Sequence, residues 1–177
     1  MKLKFVAAAT VAACLMTSGA VNATTTSLGA APVGAPLSFG GYAIPGPFLD
    51  IFTFSLPANG GSGYSISDFT LLPMMFDTAF TSFALVSNAD GIIGTGDDTT
   101  VASAFSVGSD AMSLTWGASG PGDYYLAVGG VATGASGGIY NGAISVTAVP
   151  VPEPETLAMM LAGLGALGFL ARRRQNG

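Results

Sequence analysis

The feature that most constrains this chain is the alternation of its middle portion. Between Thr24 and Val149, apolar residues recur at every second position in short runs, and Gly, Pro, Asn and Asp close each run. A period of two suits a pleated strand with one buried face and does not fit the 3.6-residue turn of a helix. Eight strands are expected, near 38–44, 48–56, 63–72, 78–86, 99–107, 111–116, 122–131 and 138–148. Punctuators such as Pro45-Gly46-Pro47, Pro57-Ala58-Asn59-Gly60 and Gly120-Pro121-Gly122 separate them. This spacing predicts an all-β fold, a single β-sandwich of jelly-roll-like form over residues 24–149. Such a length buries a two-sheet core without help from disulfides or metal. No internal repeat supports a solenoid or propeller.

Signals are expected on both sides of this domain. Lys2 and Lys4 precede an apolar stretch from Phe5 to Met16, and small residues lead to Val21-Asn22-Ala23. That order predicts a secretory signal peptide over residues 1–23, cut after Ala23. Val11-Ala12-Ala13-Cys14 has the shape of a lipobox, but Leu15 and Met16 continue the apolar core, and Cys14 reads as an ordinary residue of the signal. Cys14 is the chain's one cysteine, so the exported protein has none and forms no disulfide.

Charge is segregated. All five basic residues, Lys2, Lys4, Arg172, Arg173 and Arg174, lie in the terminal segments, and the chain has no histidine. The middle carries eight aspartates, at 50, 68, 77, 90, 97, 98, 110 and 123, and no Glu, Lys or Arg. Phosphate contacts need Lys or Arg, so nucleic acid is rejected as a partner. The same field favours divalent cations or neutral, hydroxyl-rich partners such as glycans.

The last segment, residues 150–177, has three parts. Val151-Pro152-Glu153-Pro154 is biased toward an extended, protease-accessible shape by its prolines. An apolar run from Leu157 to Ala171 follows, then Arg172-Arg173-Arg174. At about 1.5 Å per residue the run spans roughly 22 Å, short for a permanent anchor, and the arginines mark its end as cytoplasmic. This order resembles the PEP-CTERM sorting domain of Gram-negative bacteria, whose tail is also labelled an ice-binding-protein C-terminal domain. The resemblance implies a short transmembrane helix, recognition by an exosortase at Val151, Pro152, Glu153 and Pro154, and a membrane stop at Arg172, Arg173 and Arg174. It also implies a host that secretes exopolysaccharide.

Within the domain, Phe48-Leu49-Asp50-Ile51-Phe52-Thr53-Phe54 places Phe48, Asp50, Phe52 and Phe54 on one strand face. With no cationic side chain in the domain, a buried Asp50 needs backbone N–H groups, hydroxyls, water or a metal, and its simplest role is to tie down a neighbouring loop. Phe48, Asp50 and Phe52 resemble the motif of the Phe-x-Asp-x-Phe family of PEP-CTERM proteins, which implies export and a shared fold but no catalytic residue. Gly122-Asp123-Tyr124-Tyr125-Leu126-Ala127-Val128 resembles a strand of bacterial prepeptidase-type jelly-roll domains, with Tyr124, Leu126 and Val128 facing the core. Trp116 and Tyr125 read two ways, as packing residues or as rings that stack on sugars.

Asn88-Ala89-Asp90-Gly91 and Gly94-Thr95-Gly96-Asp97-Asp98 form a loop rich in oxygen ligands. It lacks the closing Glu and regular spacing of an EF-hand. Two readings stand: Asp90, Asp97 and Asp98 hold calcium, the one cofactor entertained, or they make Asx-type bonds in a solvated turn. Catalysis by Ser-His-Asp, Cys-His or zinc-histidine groupings is excluded by composition. Paired aspartates leave a small hydrolase as a remote alternative, and Asp77-Thr78-Ala79 has only the outline of an aspartic-protease loop. The expectation is a non-enzymatic protein, transiently membrane-anchored and then sorted to the cell surface or matrix, with exosortase and exopolysaccharide as partners. A calcium- or glycan-binding module is the alternative.

Overall fold

In a computed structural model, residues 21–70, 72, 74–149 and 154–175 are described. The core of the expected signal peptide, with Cys14, and the motif residues Val151, Pro152 and Glu153 lie outside the described residues. Among the described residues nine strands follow one another: β1 Asn22–Ala30, β2 Leu37–Ala43, β3 Gly46–Leu56, β4 Gly61–Asp68, β5 Thr78–Ser87, β6 Thr99–Ser109, β7 Ala111–Trp116, β8 Gly122–Ala132 and β9 Gly138–Thr147. They form two sheets, β1-β3-β8-β5-β6 and β2-β9-β4-β7. With β1 set aside, β2-β9-β4-β7 and β3-β8-β5-β6 have the strand order of a jelly roll, all antiparallel. The chain is therefore an all-β sandwich, as the alternation predicts.

Alternation determines which side chains meet between the sheets. On β3 every second residue from Phe48 to Leu56 is buried, while Leu49, Ile51, Thr53 and Ser55 are only partly covered. Phe48, Phe52, Phe54 and Leu56 pack with Phe83, Leu85, Leu126 and Val128 of their own sheet and with Phe39, Tyr64, Ile144 and Val146 of the other. Tyr140 on β9 sits at the centre. Its ring stacks on Phe48 at 5.6 Å and meets Phe80 edge-on at 5.7 Å. Burying a large side chain of this kind stabilises the fold by about 1.5–3 kcal/mol, which is why the aromatic positions hold the register.

Two expectations are corrected. β1 was absent from the predicted strands, because Asn22-Ala23-Thr24-Thr25-Thr26-Ser27-Leu28-Gly29-Ala30 has no apolar alternation and lies largely exposed at a sheet edge. It pairs in parallel with β3, Thr24 opposite Asp50, with a register shift between Ser27 and Gly29. The strand expected over 63–72 ends at Asp68. Beyond it the backbone leaves the sheet, with Leu72 and Met74 at φ of 57° and 77°, and the apolar side chains Phe69, Leu72 and Met74 are exposed. Phe69 still donates its N–H to the Ile139 carbonyl of β9 at 2.9 Å, and the ladder stops there.

Among the described residues one helix, α1, runs from Pro154 to Gln175. Proline suits a first helical turn because its missing N–H has no partner there, and arginines at the other end sit where the helix dipole favours cations. Pro154 is thus helical, where an extended motif was expected. Among the described residues no helix is long and apolar enough to cross a membrane.

Candidate functional site

Asp50 is the one charged side chain among the buried polar residues of the sandwich, at 3% exposure. Its partners are hydroxyls and a backbone amide. Tyr140 donates its hydroxyl to Oδ2 from β9 on the opposite sheet. Thr24 on β1 donates its backbone N–H to Oδ1 at 3.2 Å and its hydroxyl to the same oxygen at 2.5 Å. Asp50 therefore joins three strands, β1, β3 and β9, rather than tying down a loop. Burial and the neighbouring carboxylate push the Tyr140 hydroxyl far above the ordinary tyrosine range, so it stays a proton donor. Phe48 and Phe52 flank this group on the same face and pack on the Tyr140 ring.

The loop between β5 and β6 gathers Asp90, Asp97 and Asp98, and its oxygens face its own backbone. Asp90 Oδ1 accepts from Ile92 N–H at 2.8 Å, and Asp97 Oδ2 accepts from Asp90 N–H at 3.1 Å. The Thr95 hydroxyl reaches Asp97 Oδ1 at 2.5 Å. That bond from Thr95 is the first cause holding the Asp97 carboxyl below its ordinary value. Asp98 Oδ2 accepts from Gly94 N–H at 2.6 Å and from the Tyr125 hydroxyl at 3.1 Å. Among the described residues no group of three or more His, Cys, Asp or Glu side chains is arranged to hold a metal ion. Asp90, Asp97 and Asp98 each accept a loop N–H through one oxygen and so close a stretch of the loop.

This loop has a second task that the sequence reading missed. Ala84, Val86, Tyr125 and Ala127 form a small apolar cluster outside the main core, with Leu49, Ile51 and Ile93 packed against it. Ile93 belongs to the loop, so the loop covers the outer face of the sheet and Asp98 fastens it there. Tyr125 is 8% exposed and offers no free ring to a sugar. Burial, then Asp98, raise its hydroxyl well beyond the ordinary range. Trp116 packs against the edge of the main core.

Other candidates are turn residues. Asp77 accepts from the Thr133 hydroxyl, and its backbone bonds Gly137 and Thr133. It pins the β8–β9 turn. A depression of about 310 Å³ is lined by Ser27, Thr53, Ser55, Asn88, Asp123 and Tyr124. Of the sorting residues, Pro154 opens α1, and Arg172 and Arg174 are exposed near its end.

Sequence reasoning found Asp50 and missed Thr24 and Tyr140. The signal available was compositional: a domain without cations must satisfy a buried carboxylate with hydroxyls, and tyrosines and threonines are the donors at hand.

Comparison with known proteins bears mainly on the tail. No curated protein matches the chain. Among solved structures, the pre-peptidase C-terminal domain of collagenase from Bacillus anthracis is similar at 14% identity over 73% of this chain and 100% of that one, with a TM-score of 0.39. The model of the PEP-CTERM protein-sorting motif matches residues 150–174, spanning Val151 to Pro154, the apolar run and all three arginines. The chain thus carries a PEP-CTERM protein-sorting motif, at residues 150–174, behind an all-β sandwich.

Proposed function

We propose that this protein is a non-enzymatic surface or matrix component, exported with removal of residues 1–23 and released from its tail by an exosortase. The observation that carries the proposal is the sorting motif at residues 150–174, which implies export and exosortase processing. In this reading the apolar stretch from Leu157 to Ala171 engages the membrane transiently, and Arg172, Arg173 and Arg174 stop it at the cytoplasmic side. The sandwich is the cargo. Its composition supports a structural rather than a catalytic role, since it has no histidine, lysine or arginine between Thr24 and Val149. Its central carboxylate serves packing. A surface carrying aspartates and hydroxyls without cations suits a hydrated exopolysaccharide, where neutral hydrogen bonding dominates.

Mass spectrometry of surface protein from a host with an exosortase tests the proposal. The mature chain is expected to end before Leu157 and to accumulate untrimmed when the exosortase is deleted. Recovery of mature surface material still ending in Arg172-Arg173-Arg174 would overturn it.

A further inference from the structure

The Thr24–Asp50 contact lies at the predicted signal-peptide cut. In the uncut chain the Thr24 nitrogen is a neutral amide whose one N–H points at Asp50 Oδ1 from 3.2 Å. Cleavage after Ala23 makes that same nitrogen the chain's amino terminus, a cation with three protons. We propose that signal removal creates an ion pair between the Thr24 α-ammonium and the buried Asp50 carboxylate, which completes the core of the sandwich only after export. The inference rests on the cut after Ala23 given under Proposed function.

Three observations support it. Asp50 is 3% exposed, and a buried carboxylate is costly without a counter-charge or a full set of donors. Between Thr24 and Val149 no Lys, Arg or His exists to supply that charge, so the new amino terminus is the one cation the processed domain gains. Finally, β1 is already in place: Thr24 lies opposite Asp50 in the β1–β3 register, and its hydroxyl holds Oδ1 at 2.5 Å. Little movement separates amide from ammonium. Cleavage gives up the pairing of Asn22 and Ala23 with Phe48 and Leu49, at an exposed strand end. In exchange, a hydrogen bond from a neutral amide to the carboxylate becomes one between opposite charges, an ion pair at the same oxygen. The precursor lacks this pair, so the domain is less firmly folded until it has crossed the membrane.

The titratable groups facing Asp50 are the Tyr140 hydroxyl from β9 and, after cleavage, the Thr24 amine from β1. An amine held by a carboxylate keeps its proton to higher pH. Its stabilising effect is therefore full below the ordinary α-amino value and is lost as pH rises through the raised one.

Composition makes the test clean, because both lysines, Lys2 and Lys4, leave with the signal and the processed chain has one amine. The full chain is exported from a Gram-negative host, the processed protein is sequenced from its amino end, and its amine is acylated with an N-hydroxysuccinimide acetate across pH. Thr24 is expected first. In the native protein the acylation midpoint is expected at least one unit above the usual value of about 7.7–8.0, a roughly tenfold slower reaction near pH 7 than in urea. Asp50→Asn should remove the shift. If that variant does not fold, the native-to-urea comparison of the wild type decides alone. A processed chain beginning at Thr24 whose amine titrates in the ordinary range overturns the ion pair and leaves the signal reading standing. A processed chain beginning elsewhere overturns the cut, and the inference with it.

Discussion

Replacing Asp50 by alanine tests whether the three-strand junction is as important as its geometry implies. The substitution removes the acceptor of three donors: Tyr140 Oη, Thr24 N and Thr24 Oγ1. Thr24 is on the exposed edge strand and recovers water, whereas Tyr140 is 2% exposed and does not. One fully buried donor left without a partner costs about 1–3 kcal/mol, and the lost charge-assisted bonds set the total toward the upper end. For a domain of this size that corresponds to a fall in Tm of roughly 4–15 °C, read by circular dichroism or calorimetry. Tyr140→Phe on the Asp50→Ala background should recover part of the loss, since it removes the orphaned hydroxyl and keeps the ring against Phe48, Phe52 and Phe80. Tyr140→Phe alone should destabilise, because it takes a donor from Asp50. The sign change between backgrounds is the signature of a direct pair. Equal effects of Tyr140→Phe in both backgrounds would refute the coupling, and an unchanged Tm in Asp50→Ala would show that the carboxylate is solvated.

Three further outcomes are expected. Thr95→Ala should move the Asp97 carboxyl back up toward its ordinary value by carbon-13 NMR titration; because that group is depressed in the fold, its contribution is present above the unfolded value and is lost as pH falls through the folded one. Tyr125→Phe should free the loop from Asp98 and speed amide exchange over residues 90–98 several-fold, with β3 and β8 unchanged. Alkaline absorbance titration should show Tyr64, pushed up to about 12 by burial, together with Tyr125 and Tyr140, ionising only as the sandwich opens. Their contribution is full below about pH 10 and is lost as pH rises.

How much of this was legible in the sequence depends on what each residue's position rests on. Where burial follows a period of two, as from Phe48 to Leu56, the strand and its inward face can be read directly. The two-sheet architecture was also legible, because eight alternating segments without helices close most readily as two packed sheets. The loop of Asp90, Asp97 and Asp98 was readable as a turn from its Asn, Asp and Gly content. Its seat against Tyr125 was not. Alternation puts Tyr125 on the face opposite Tyr124 and Leu126, which in a sandwich is the solvent face, and only the loop's path across the sheet turns that face into a small core.

The least legible element is β1, and it supplies half of the central contact. A threonine-rich segment with no apolar face has nothing in its pattern to fix a partner, so propensity alone leaves it as a linker. Asp50 is what gives it one. The carboxylate needs donors, the domain has no cation to offer, and a strand edge bearing an amide and a hydroxyl at one residue supplies two of them at once. The ordering of β1 thus follows from the charge of a residue 26 positions away rather than from its own composition. A domain that places a buried carboxylate against β1 has linked its stability to where that strand begins, so the proposed cut after Ala23 would bear on the fold as well as on export.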